Sequence, residues 1–252
     1  MDLIKLLGPD DKIVAVVVPE NRKSSAKVHD LIERTDLPTG FQPRGGGIPS
    51  DLPHADAAIS WLYSQILSEQ DIKRYKLGII NMHGGKLPEY RGASVLQWAI
   101  ANGETELGIT WHQIVGEVDS GPVWAEDAIP IPSDANALAM RAAMIEKGLA
   151  LFPLAWSRFA SGASPVRRVD PGTGKVWPQR RPKDGKIGER WAEKKVRDLI
   201  RALPAPWPRP TLVIGGRDYD VAGIATMSSA DTVPYTTRED TVLFLKVERP
   251  EL

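Results

Sequence analysis

The chain has 252 residues, of which 42% are hydrophobic, and its 32 basic and 32 acidic side chains cancel. So ordinary a composition excludes an intrinsically disordered chain, and the length suits one large domain or a large one with a small appendage. With no cysteine, disulfides, thiolate metal sites and a cysteine nucleophile are excluded; no stretch approaches the ~20 apolar residues of a membrane-spanning helix.

The start, MDLIKLLGPDDK, has neither the basic region nor the apolar run of a secretory signal. The expectation is a cytoplasmic protein with no membrane partner. Lys12–Pro19 (KIVAVVVP) reads as a buried strand, and 24–36 as a helix with Val28, Leu31 and Ile32 at helical spacing. A loop, GGGIPSDLP, precedes a second strand at Asp56–Leu62. A short helix at Glu69–Tyr75 leads to a third strand, Leu77–Met82, then a helix at Ser94–Ala101 and a fourth strand at Gly108–Val115. Ala135–Ala160 is a long helix with an apolar stripe. Such alternation predicts an α/β fold with a Rossmann-like, mostly parallel sheet flanked by helices.

From Ser161 to Gly188, Pro, Gly and basic residues dominate. Residues 165–201 carry 12 basic and 5 acidic side chains, against 15 and 20 in 1–164 and 5 and 7 in 202–252. A positive segment in a neutral chain marks an anion-facing surface or a solvated linker. Beyond it come a helix at Ala192–Ala202 and β-like pieces at Thr211–Ile214, Asp220–Ile224 and Thr241–Val247. The expected organisation is a catalytic domain over 1–164, then a basic linker, a helix and a small β-rich subdomain over 165–252.

Asn81 and His83 close an apolar strand at i and i+2, so they face the same side. Open α/β sheets bind ligands beyond the carboxyl ends of their strands. From these residues alone, a loop-capping pair is the favoured reading and a site the alternative. His112 reads as a structural histidine, His29 and His54 as surface residues, and Trp98 as core.

The stretch from Gly78 to Trp124 resembles the folate-dependent formyltransferase family, which includes methionyl-tRNA formyltransferase and sugar N-formyltransferases. The matching pieces are Asn81-Met82-His83, Leu87-Pro88-x-Tyr90-Arg91-Gly92, Asn102–Thr105 and Asp119-Ser120-Gly121, in the family's order and spacing. The resemblance implies transfer of a formyl group from N10-formyltetrahydrofolate to an amine, with no metal. It assigns Asn81 as oxyanion donor, His83 as acid and base, and Asp119 as the carboxylate partner of His83. These residue types suit that chemistry: an amide stabilises negative oxygen, and an imidazole moves protons near neutral pH. The resemblance also implies a folate pocket formed by Gln65, Ile66 and Leu67 on one side and Val115, Gly116, Glu117 and Val118 on the other. Tyr90 and Arg91 are candidate substrate contacts. Against the family, about one strand and part of a helix are missing at the N-terminal end. Three acceptors stay open: a nucleotide-linked amino sugar, favoured by the length and by 180–203; methionyl-tRNA, favoured by the basic segment; and a small amine. A non-catalytic folate- or nucleotide-binding module on the same fold is the reading from another class. A homodimer is compatible with all of them.

Overall fold

A computed structural model describes residues 3–248; Met1 and Asp2, the first residues of the MDLIKLLG segment, and 249–252 lie outside the described residues. The described elements are β1 (Val16–Pro19), α1 (Ala26–Thr35), β2 (Thr39–Gln42), β3 (Ala57–Trp61), α2 (Glu69–Lys73), β4 (Gly78–His83), β5 (Arg91–Gly92), α3 (Val95–Ala101), β6 (Glu106–Gln113), β7 (Gly121–Pro130) and α4 (Ala137–Ala160). After these come β8 (Arg167–Val169), β9 (Val176–Trp177), α5 (Glu193–Ala202), β10 (Thr211–Ile214), β11 (Arg217–Ala225), β12 (Thr232–Thr236) and β13 (Val242–Glu248).

The α/β, Rossmann-like class is what the structure shows, with a β-rich C-terminal portion. The main sheet has the order β3-β4-β6-β7-β8. Its β3–β4 pair is parallel, whereas β4–β6 and β7–β8 are antiparallel. β1 pairs in parallel with β2 in a separate two-stranded sheet, so β3 is an edge of the main sheet. The C-terminal strands form an antiparallel sheet, β10-β11-β13-β12. Among the described residues, no helix is long and apolar enough to cross a membrane.

Two compact units emerge. The first takes in the described residues up to His83, Ile109–Asp127 and Glu146–Thr173; the second takes in Gly84–Gly108, Ala128–Ile145 and the described chain from Gly174 on. The sequence boundary drawn at 164 thus lies inside a segment of the first unit.

In the first unit β4 is buried on both faces, which suits its Ile79-Ile80 run and Met82. Trp111 anchors the core: it stacks near Trp61 (5.6 Å) and Phe152 (5.1 Å), and its indole N–H donates to the Gly148 carbonyl at 2.9 Å. A Cβ at Gly148 would meet Met82 Cγ at 3.2 Å and Trp61 Cη2 at 3.3 Å. Gly148 therefore lets α4 approach the sheet closely. In the second unit α3 packs on α5, burying Leu96 and Ile100 of α3 and Val196 and Leu199 of α5.

Candidate active site

β4 delivers Asn81 and His83 at its carboxyl end, and the antiparallel β6 sets His112 directly across from Asn81. Asn81 Nδ2 lies 3.0 Å from His112 Nε2, and His112 Nδ1 lies 3.1 Å from the Gln113 carbonyl oxygen. With the proton on Nδ1 donated to that carbonyl, Nε2 accepts from the Asn81 amide. One Asn81 N–H is then taken, and the second can donate to an oxygen in front of it. His112 is 1% exposed, so its ring is a fixed support for the Asn81 amide.

The β6–β7 loop brings Asp119 to the same place. Its Oδ2 lies 3.5 Å from His83 Nδ1, and its Oδ1 lies 3.4 Å from His112 Nε2. The two imidazole rings meet edge to face, with centroids 6.1 Å apart. A carboxylate this near stabilises positive charge on the His83 ring. His83 is 6% exposed, so the pair sits in a medium where Coulomb attraction is stronger than in water. Asp119 has φ +45°, a left-handed conformation that a residue with a side chain adopts at a cost of about 1–2 kcal/mol. Asn81 and His83, two residues apart on β4, and the sequence-distant Asp119 thus converge. His112 joins them, although its sequence context reads as structural. Its signal was the strand register: only the β4–β6 pairing shows which residue stands opposite Asn81.

The remaining candidates are placed as follows. Ile66 is 84% exposed and Val118 is 46% exposed, two large apolar side chains of the first unit open to solvent. Gln65 and Leu67 are half-buried, Val115 and Glu117 are half-buried, and Gly116 is exposed. The Gln65–Leu67 segment ends on a rigid post. Asp71 accepts from Ile48 N (2.7 Å), Ser68 N (2.9 Å) and Ser68 Oγ (2.7 Å). Tyr90 and Arg91 belong to the second unit, at 8% and 1% exposure. Tyr90 stacks on Trp177 at 5.3 Å, donates its hydroxyl to Glu104 at 2.7 Å and accepts from Asn102 at 3.1 Å. Burial first, and then the neighbouring Glu104, push the Tyr90 phenol up to about 12, so it stays protonated as a donor. Among the described residues no group of three or more His, Asp or Glu side chains could hold a metal ion.

The geometry has relatives of known structure. HypX from Aquifex aeolicus, solved with tetrahydrofolic acid, superposes with a TM-score of 0.65 at 16% identity, covering 96% of this chain and 45% of its own. The chain thus spans less than half the length of that protein. An N-formyltransferase from Helicobacter canadensis, solved with folinic acid and dTDP-3-aminofucose, superposes at 0.63 and 13% identity, covering 93% of this chain and 99% of its own. Methionyl-tRNA formyltransferase from Clostridium thermocellum gives 0.58 at 14%, covering 94% and 100%. At these identities the likeness establishes the fold. Residues 51–155, which hold Asn81, His83, His112 and Asp119, match the family model described as formyl transferase.

Proposed function

We propose that the chain is an N-formyltransferase that moves the formyl group of N10-formyltetrahydrofolate to the amine of a nucleotide-linked amino sugar. The observation that carries this reading is the convergence of one amide, two imidazoles and one carboxylate at the end of β4. The folate co-substrate supplies an activated one-carbon acyl group. Ile66 and Val118 suit the flat apolar body of a pterin, and backbone groups of 65–67 and 115–118 suit its amide-like edge. As the amine adds to the formyl carbon, the oxygen gains negative charge. The uncommitted Asn81 N–H donates to that oxygen. His83 takes the proton of the attacking amine and passes one to the departing nitrogen. Asp119 stabilises His83 while it is charged, and His112 keeps the Asn81 amide turned toward the reaction.

The sugar acceptor draws support from the Helicobacter protein, whose structure contains an amino sugar linked to dTDP. Residues 202–252 add weight, since their 5 basic and 7 acidic side chains do not suit a polyanion such as tRNA. The test is a panel of dTDP- and UDP-linked amino sugars, simple amines and methionyl-tRNA, with release of tetrahydrofolate as readout. Turnover with one or more of the sugars and none with methionyl-tRNA is the expected result. Faster turnover with methionyl-tRNA overturns the acceptor, and no transfer to any amine overturns the activity.

A further inference from the structure

Resting on the reading of His83 as the acid–base group, we propose that Glu117 is a positioning residue: it ties down the loop that presents Asp119, and so sets the Asp119–His83 pair. The loop between β6 and β7 makes a turn in which Ser120 N and Ser120 Oγ reach the Glu117 carbonyl at 3.4 and 3.0 Å. Asp119 occupies the third position of that turn with φ +45°, where glycine or asparagine is the usual occupant. Something must hold so disfavoured a conformation in place.

The Glu117 side chain does this. Its two carboxylate oxygens lie 3.0 and 3.1 Å from the backbone N–H of Gly172. Gly172 is part of a second turn, where Thr173 N and Thr173 Oγ1 bond the Asp170 carbonyl at 3.2 and 2.6 Å. That turn follows β8, which pairs with the start of β7 at Gly121↔Val169. The loop carrying Asp119 is therefore fastened at both ends: through Gly121 by the sheet ladder and through Glu117 by a charge-assisted hydrogen bond. A carboxylate committed in this way braces the loop wall instead of reading a ligand.

The groups facing His83 include Asp119 Oδ2 from this loop and the His112 ring from β6. Releasing the brace lets Asp119 relax and recede, and Coulomb stabilisation of the charged His83 falls with distance.

The chain has only four histidines, so their ring resonances can be followed individually in a pH titration by NMR, in the full chain. In Glu117→Ala the His83 midpoint falls by about half a pH unit or more, in the same direction as in Asp119→Asn. Glu117→Gln, which keeps an oxygen for Gly172 N–H, stays at the wild-type midpoint. A wild-type midpoint in Glu117→Ala overturns the proposal, as does a tenfold or greater loss of folate binding in that variant with His83 unmoved, on the order of 1.4 kcal/mol spent on ligand contact. If Asp119→Asn also leaves His83 unmoved, the pair itself fails and both readings fall. If the wild type does not bind 5-formyltetrahydrofolate while Glu117→Ala shifts His83, the functional reading alone falls.

Discussion

At Asp119 a strained backbone and a useful side chain coincide. The residue spends conformational energy to hold its carboxylate 3.5 Å from His83 and 3.4 Å from His112. Asp119→Asn keeps the shape and removes the charge. Its kcat falls by about 10²-fold or more, the scale of a lost acid–base contribution, while 5-formyltetrahydrofolate binds as before. Steady-state kinetics together with a binding titration check this; an unchanged kcat contradicts it. Asp71 does a different kind of work. Burial alone would raise its carboxyl, but the Ser68 side chain, the Ile48 and Ser68 backbone N–H groups and Arg74 together hold it below the ordinary 3.8. Because the folded value lies under the unfolded one, this stabilisation is complete at neutral pH and is lost as pH falls below 3.8 through the folded value. Asp71→Asn is accordingly less stable than wild type by about 1–3 kcal/mol at pH 7, and the gap narrows at pH 3. Urea unfolding at the two pH values measures it; a gap that stays constant contradicts the argument. Asn81, His83 and Asp119 were legible in the sequence because a motif with fixed spacing carries them. His112 was not, since its role depends on pairing between strands some thirty positions apart, about which local pattern is silent.

The elements divide in the same way. β3, β4 and β6 announce themselves as apolar runs, and α4 and α5 as helical stripes. The ten-residue β7 (Gly121–Pro130) escaped, because a proline near each end and the adjacent acids Glu126-Asp127 interrupt any strand-like alternation. β2 and β9 escaped because two to four residues with glycine or proline neighbours hold no periodicity. Direction was illegible as well: whether β6 runs with or against β4 leaves no trace in either strand alone. Trp98, read as core, is half-buried, and it pins the stretch after β9 instead. Its indole N–H donates to the Pro178 carbonyl at 2.9 Å, its ring lies 5.0 Å from Trp177, and the Arg180 guanidinium covers it at 4.1 Å. Burial holds the Arg180 guanidinium below its ordinary value, with Asp184 acting in the opposite sense, and its Nη2 donates to the Asp184 carbonyl at 2.5 Å. Trp98→Ala removes the pin. Trypsin then cleaves after Lys175 and Arg180 several-fold faster than in wild type, as local opening costs less. Mass spectrometry of timed digests reads the rates, and equal rates contradict the pin.

At the scale of the whole molecule, neutrality hides a partition. Part of the basic excess of 165–201 is matched by acids outside the segment: Arg167 pairs with Glu126, Lys186 with Asp218 and Arg190 with Asp240. The family motif covers residues 51–155, and around it the fold superposes on proteins of different acceptors at under 20% identity. The proposed formyl-transfer chemistry rests on the few residues gathered at the end of β4, all inside the matched stretch. The most direct test of that chemistry is His83→Ala in a single-turnover reaction with N10-formyltetrahydrofolate and whichever acceptor the wild type uses. The account predicts a loss of about 10²-fold or more in the transfer rate with 5-formyltetrahydrofolate affinity retained. Transfer at the wild-type rate in that variant would contradict it.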